Sequence, residues 1–183
     1  MIINDSIVGK YVRMRSVVEE DSDFILRLRN NPDISIYLPK LEVTSSQQKS
    51  WITKQRNDND SFYFLMETPF GESIGTISVY DINDNEGEVG RFCSFGSPFS
   101  NIEGCIMLYD FCFDILKLHK VKIWVYEDNK PVIELDQSFG YQWVGNTVAQ
   151  DGRLCRVGEM TPSQYMEKRT EIAKKLKLKE KYF

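Results

Sequence analysis

The chain predicts an α+β domain, a mostly antiparallel sheet of six or seven strands with helices on both faces, and three features of its pattern say so. Three β-rich segments in succession follow two amphipathic helices and precede a helix that is apolar nearly all round. That helix leads directly into a further strand, the arrangement of a right-handed parallel crossover. The chain then closes on another helix and a β-hairpin. Its 183 residues are the length of one ordinary domain, read as a single unit over 1–183 with a C-terminal helical tail from 161.

Lys10 to Val17 alternates as a first strand, and Glu19 to Arg29 gathers Phe24, Ile25 and Leu28 on one face of a helix stopped by Asn30-Asn31-Pro32. Thr44 or Ser45 caps a second helix, Gln47 or Gln48 completes the box, and Trp51 with Ile52 supplies the apolar side. Phe62 to Glu67, Ile74 to Asp81 and Glu88 to Phe95 form an antiparallel meander, divided by turn clusters at Thr68 to Gly71 and Ile82 to Gly87. From Glu103 to Lys117 the polar positions Glu103, Asp110, Asp114 and Lys117 fall on one narrow stripe, so this helix is central and mostly covered. Ser100 and Glu103 stand at its start in capping-box spacing. Val121 to Tyr126 is a strand, Asp128 to Pro131 opens a helix, and Gly140 ends it in a left-handed cap. Tyr141 to Thr147 and Arg153 to Gly158 make the hairpin, and Thr161-Pro162-Ser163-Gln164 is a capping box for the last helix.

Hydrophobic residues at 42% and charged residues at 27% can bury a core, which argues against disorder. Lys plus Arg is 23 against 27 for Asp plus Glu, and the resulting charge of −4 repels a phosphate backbone, so nucleic acid is not an expected partner. No apolar run approaches the ~20 residues that span a bilayer, and Met1 to Lys10 has neither the basic start nor the apolar stretch of a leader. A cytoplasmic protein without membrane contact is the expectation. The four cysteines form no CxxC pair and His119 is the only histidine, which indicates neither a metal site nor a disulfide framework. A Ser-His-Asp or Cys-His mechanism would have to pass through His119, which sits in the helix-to-strand connection Lys117 to Lys120 and reads as a surface or capping residue. The lysine-rich tail, Lys168 to Lys181, carries Glu171 and Glu180 among its basic residues and reads as a solvated helix.

The stretch Phe111-Cys112-Phe113-Asp114-Ile115-Leu116-Lys117-Leu118-His119-Lys120-Val121, followed by Val125-Tyr126-Glu127-Asp128-Asn129-Lys130-Pro131-Val132 and then Phe139-Gly140-Tyr141, resembles the GNAT acyltransferase superfamily, in its ribosomal-protein-alanine acetyltransferase-like branch. The resemblance covers roughly residues 8 to 160. Leu26 to Ile34, Val43-Thr44 to Trp51-Ile52, Tyr63-Phe64, Ile74-Gly75-Thr76 and Val89-Gly90-Arg91-Phe92 are similar to the members that acetylate nucleotide-linked 4-amino sugars. Those members carry tryptophan where Leu28 stands here.

The resemblance implies a splayed sheet in which the strand Glu88 to Phe95 pairs its free backbone groups with the pantetheine arm of acetyl-CoA, placing Phe92, Cys93, Ser94 and Phe95 along the cofactor and a backbone NH near the developing oxyanion. A plain core strand has the same spacing. The cofactor's pyrophosphate would lie at the N-terminus of the central helix, on Gly96 to Glu103, where Ser97, Ser100 and Asn101 are side-chain donors. That loop departs from the family: only Gly96 remains of its glycines, Pro98 removes a donor, and Glu103 brings negative charge. Asn129 matches the family's cofactor-arm asparagine, and a plain helix cap explains it equally well. Asp136 stands where the family has the tyrosine that protonates the departing thiolate, a poor acid at pH 7 unless burial raises its pKa, with water or Tyr141 as substitutes. Glu88, ahead of Glu86, is the candidate base that neutralises the amine, or else a carboxylate at a hairpin end.

Arg29 and Asn30 lie over the substrate side in relatives, where Arg29 would pair with a substrate diphosphate or simply favour a helix C-terminus. Tyr37, Trp51, Phe62, Tyr63 and Tyr80 divide between core and a stacking surface, Tyr80 being the substrate-binding candidate. The implied activity is transfer of acetyl from acetyl-CoA to a small amine, above all a nucleotide-linked amino sugar, by direct attack. Acetylation of a protein N-terminus and a non-catalytic binding module are the alternatives. The later strands offer a surface for a homodimer.

Overall fold

The computed structural model describes residues 6–183. The first five residues, part of the stretch read for a leader, lie outside the described residues. In chain order the elements are β1 (Ile7–Val8), β2 (Arg13–Ser16), a short 3-10 turn (Glu19–Asp21), α1 (Ser22–Arg29), α2 (Ser45–Asn57), β3 (Phe62–Glu67), β4 (Ser73–Asn83), β5 (Glu86–Ser94), α3 (Pro98–Asp110) running on into a π-turn (Phe111–Ile115), β6 (Lys120–Tyr126), α4 (Lys130–Phe139), β7 (Gln142–Val148), β8 (Leu154–Met160) and α5 (Pro162–Leu176). The strands form one sheet in the order β1-β2-β3-β4-β5-β6-β8-β7, antiparallel throughout except for β5 with β6. The eighth strand is the two-residue β1, too short for periodicity to register.

The caps explain where most helices begin. Thr44 accepts from the Gln47 backbone NH while Gln47 returns a bond to the Thr44 backbone, and Thr161 with Gln164 repeats the device at α5. Gly140 ends α4 at φ 112, where a Cβ would fall 2.8 Å from the Gln164 carbonyl oxygen. The β4–β5 hairpin is tighter than expected: Asp84 and Asn85, both at positive φ, make its two-residue turn, so the strands run to Asn83 and from Glu86.

The capping box expected at Ser100 and Glu103 does not form. Ser97 caps α3, its Oγ accepting from the Ser100 NH at 3.2 Å, with Pro98 in the first turn. Glu103 is 0% exposed and takes the backbone NH groups of Lys10, Tyr11 and Val12, together with the Tyr182 hydroxyl. Its charge therefore ties the N-terminal strand and the C-terminus to α3. Asp110, seven residues on along the same stripe, pairs with Arg169 at 2.8 Å and accepts from Tyr165 at 2.6 Å, docking α5. The buried half of the polar stripe, Glu103 and Asp110, is thus a seam of partnered carboxylates, while Asp114 is half-buried and Lys117 exposed.

The feature that positions a site lies between β5 and β6. They pair only over Glu86 to Glu88 and Lys120 to Lys122, after which β5 keeps β4 and β6 keeps β8. The two inner strands fork. On β5, Arg91 and Phe92 together oppose Ile77, a bulge that puts Arg91 at φ 52. Two buried hydroxyls hold it: Ser78 donates to the Gly90 carbonyl at 3.1 Å and Thr76 to the Arg91 carbonyl at 3.2 Å.

Candidate active site

The fork opens into a cavity of about 760 Å³, bounded by α1, the loop after it, α2, β3 to β6, α3 and α4. Most of the residues expected at a site meet there. Glu88, Asp136, Phe92, Cys93, Ser94, Asn101, Asn129, Arg29 and Tyr80 all line it.

Glu88 stands at the throat of the fork. Its Oε1 accepts from the Tyr80 hydroxyl on β4 and from the Trp124 indole on β6 at 2.6 Å, so one oxygen is fixed by two donors while Oε2 has no partner among the described residues. Burial and the neighbouring carboxylate raise the Tyr80 pKa, keeping this hydroxyl a donor. Asp136 reaches the cavity from α4, 8% exposed, its carboxyl without a hydrogen-bond partner among the described residues. Burial raises its pKa to about 7, the condition under which a carboxyl at this position holds a proton near neutrality. Cys105, Tyr109 and Tyr141 surround it electrostatically, all with pKa values raised by burial. Tyr141 is itself buried outside the cavity wall, its hydroxyl without a partner among the described residues.

Along the open part of β5, Cys93 is buried, with burial pushing its thiol up to about 11. Ser94 Oγ donates to the Ile74 carbonyl and receives the Gly96 NH at 2.8 Å. The Phe95 NH continues the pairing with β4, and its ring is half exposed and off the cavity. At the head of α3, Ser97 and Ser100 are also off the wall: Ser97 is the cap, and Ser100 Oγ bonds the Ser97 carbonyl at 2.9 Å. Only the Ser97 and Phe99 amides remain there without a helical acceptor, because Pro98 has none and the Ser100 amide is taken. Asn101 does face the cavity, with a buried Oδ1 that has no partner among the described residues. Asn129 holds the N-cap position of α4 but makes no side-chain cap bond, so capping alone does not account for it.

Arg29, 7% exposed, donates Nη2 to the Pro39 carbonyl and leaves Nε buried without a partner. Asn30 does not share that wall. Both its side-chain polar atoms clamp the Leu41 backbone, a tie between the end of α1 and the loop that follows it. Of the aromatic candidates, Tyr37, Trp51, Tyr63 and Tyr80 reach the cavity, while Phe62 packs edge-on against Phe111 in the core. His119 is exposed on its connector, the four cysteines are free and buried, and no group of three or more potential ligands could hold a metal among the described residues.

A family profile described as acetyltransferase (GNAT) domain matches residues 12–142. This chain is a GNAT N-acetyltransferase. Among its relatives is the acetyltransferase PseH of Campylobacter jejuni, 24% identical over 132 residues that make up 69% of this chain and 82% of that protein. Among solved structures, apo FdhC, described as a nucleotide-linked sugar GNAT, is 22% identical with a TM-score of 0.81, covering 95% of this chain and 99% of its own. The spermidine N-acetyltransferase of Vibrio cholerae, in a dodecameric structure of an intermediate state, is 21% identical with a TM-score of 0.73, covering 85% of this chain and 96% of its own. Within described residues 6–183, no helix is long and apolar enough to cross a membrane.

Membership of this GNAT family implies acetyl-CoA as co-substrate. The residues present fit it. The fork leaves strand edges without strand partners, Asn101 Oδ1 faces the cavity unsatisfied, and Asn129 stands on its wall without capping its helix. Gly96 is a place where only hydrogen fits: a Cβ there would fall 2.7 Å from Ser100 Oγ and 2.9 Å from Asn101 Oδ1.

Sequence reasoning missed Trp124, which holds Glu88, and gave no role to Arg91, although Val89 to Phe92 was part of the matching stretch. Neither has a local signal. One is set by the distance across the fork and the other by a bulge, and both arise from strand pairing that periodicity does not report.

Proposed function

We propose that this protein transfers the acetyl group of acetyl-CoA to the amine of a nucleotide-linked amino sugar by direct attack. The observation that carries the reading is that the Glu88 and Asp136 carboxyls, one on β5 and one on α4, line the same forked cavity. Acetyl-CoA supplies the activated acetyl thioester.

Glu88, anchored through Oε1 by Tyr80 and Trp124, takes the proton of the incoming amine at Oε2, directly or through a water. Asp136 holds a proton near pH 7 because it is buried, and donates it toward the departing sulfur in place of the family's tyrosine. The open backbone of β5 from Val89 to Ser94 grips the pantetheine arm, and Asn129 and Asn101 hold it from α4 and α3. Direct attack is supported by the cysteines: Cys93 and Cys105 line the cavity as thiols whose burial disfavours the thiolate a covalent intermediate needs. Tyr37, Trp51 and Tyr126 offer aromatic surface for a nucleotide base, and the likeness to FdhC extends over nearly the whole chain.

The test is release of coenzyme A thiol from acetyl-CoA, measured over nucleotide-linked amino sugars, N-terminal peptides and spermidine. Turnover confined to the amino-sugar nucleotides supports the reading, and turnover on peptides or spermidine alone rejects it.

A further inference from the structure

Acetyl transfer places negative charge on the thioester oxygen. The amine's electron pair adds to the carbonyl carbon, and the C=O π pair moves onto oxygen. That pair returns as the C–S bond breaks, and the sulfur leaves with the bonding pair and takes its proton from Asp136, while Glu88 takes the proton of the amine. Hydrogen-bond donors already aimed at that oxygen lower the barrier. A regular strand turns successive peptide groups to opposite edges, so it never aims two neighbouring NH groups at one place.

Two neighbouring peptide groups of β5 break that alternation. The Gly90 carbonyl accepts from Ser78 Oγ at 3.1 Å and the Arg91 carbonyl from Thr76 Oγ1 at 3.2 Å, so both turn toward β4. No peptide bond among the described residues is cis, and a trans peptide sets its NH opposite its C=O. The Arg91 and Phe92 amides therefore both point away from β4, to the side where β6 has ended its pairing with β5. Gly90, Arg91 and Phe92 line the cavity there. Arg91 at φ 52 is the corner that aligns them, and left-handed corners of this kind make the backbone concavities that bind anions.

That corner is unfavourable for a residue with a side chain, so it persists only where its surroundings hold it. Thr76 and Ser78 stand two residues apart on one face of β4, both 0% exposed, and neither reaches the cavity wall. An apolar side chain would fill either position in a plain core strand. Each hydroxyl has one donor proton and directs it to a bulge carbonyl.

We propose that Thr76 and Ser78 are positioning residues for acetyl transfer: their hydroxyls hold the two bulge carbonyls so that the Arg91 and Phe92 amides together face the thioester oxygen. The inference rests on the acetyl-transfer reading and adds to it two side chains that touch neither substrate.

The test reads the carbonyl itself. Acetyl-CoA labelled with carbon-13 at the thioester carbonyl is bound without acceptor, and its C=O stretch is followed by difference infrared spectroscopy. Affinity is measured calorimetrically, and kcat on the acceptor that is turned over. Thr76→Val keeps the shape of the side chain and removes the hydroxyl, Thr76→Ser keeps the hydroxyl and removes a methyl, and Ser78→Ala removes the second hydroxyl. The stretch should fall on binding to the wild type, and by about half as much or less in Thr76→Val and Ser78→Ala, with kcat about tenfold lower or more and acetyl-CoA affinity within about twofold. Thr76→Ser should keep the shift and a kcat within about threefold of wild type, although it leaves the larger void.

The proposal is overturned if the wild type leaves the stretch unshifted, if either Thr76→Val or Ser78→Ala retains the full shift and kcat, or if Thr76→Ser loses both as fully as Thr76→Val. Ser78→Ala, the smaller change, decides the matter if Thr76→Val does not fold. Failure of the wild type to bind acetyl-CoA overturns the acetyl-transfer reading and this inference together, whereas tight binding with a carbonyl indifferent to the two hydroxyls overturns this inference alone.

Discussion

Trp124 Nε1 donates to Glu88 Oε1 at 2.6 Å, a side-chain bond from β6, two residues past Lys122, back to the last paired residue of β5. The strands part, and the indole spans the gap to fix the carboxylate at its throat. Glu88→Gln should lower kcat/KM by about 10²- to 10⁴-fold, the usual contribution of a general base. Trp124→Phe, which keeps an aromatic ring and removes the donor, should lower it by roughly tenfold, the worth of about 1.4 kcal/mol. Steady-state kinetics of both variants checks this, and a Glu88→Gln enzyme of undiminished rate would remove Glu88 from the mechanism.

Asp136 predicts a pH dependence of stability. Its pKa is raised by burial to about 7, so between the ordinary carboxylate range and pH 7 the folded state holds a proton that the unfolded state has released. Stability contributed by this group is therefore lost as pH rises from about 4 to about 7, by up to about 4 kcal/mol. Asp136→Asn should flatten that part of the profile in urea melts. The same variant should lower kcat and abolish any fall in kcat that sets in above pH 7.

Glu103 carries a structural charge. Replacing it with alanine strands three backbone NH groups and the Tyr182 hydroxyl, and should destabilise the fold by about 3–5 kcal/mol. Urea unfolding monitored by circular dichroism reads this directly, and acetyl-CoA affinity of the folded fraction should be unchanged.

Gly96 predicts a selective effect on the cofactor. An added methyl collides with Ser100 Oγ and Asn101 Oδ1, displacing an unpartnered side-chain acceptor at the head of α3. Gly96→Ala should raise the KM for acetyl-CoA by about tenfold while leaving the acceptor KM within twofold, the order expected for one lost contact of about 1.4 kcal/mol.

The order of elements, the helix caps at Thr44, Thr161 and Gly140, the apolar α3 and the family were all legible in the chain before it folded, because they rest on local propensity, short-range hydrogen bonds and periodicity. Asp136, Asn129 and Arg29 came to notice through the family's spacing around them, and Glu88 through its place at the start of a strand beside the site. Packing determined which carboxylates are seams and which face the cavity. Glu103 looks like a capping partner until β2 and the C-terminus close over it, and Asp136 looks like an ordinary acid until burial raises its pKa. Packing also separated Arg29 from Asn30: a loop closing over α1 occupies one side chain and leaves the other in the cavity. The fork, the bulge and the strained Arg91 belong to strand register, which is fixed by residues far apart in sequence and leaves no trace in a local pattern.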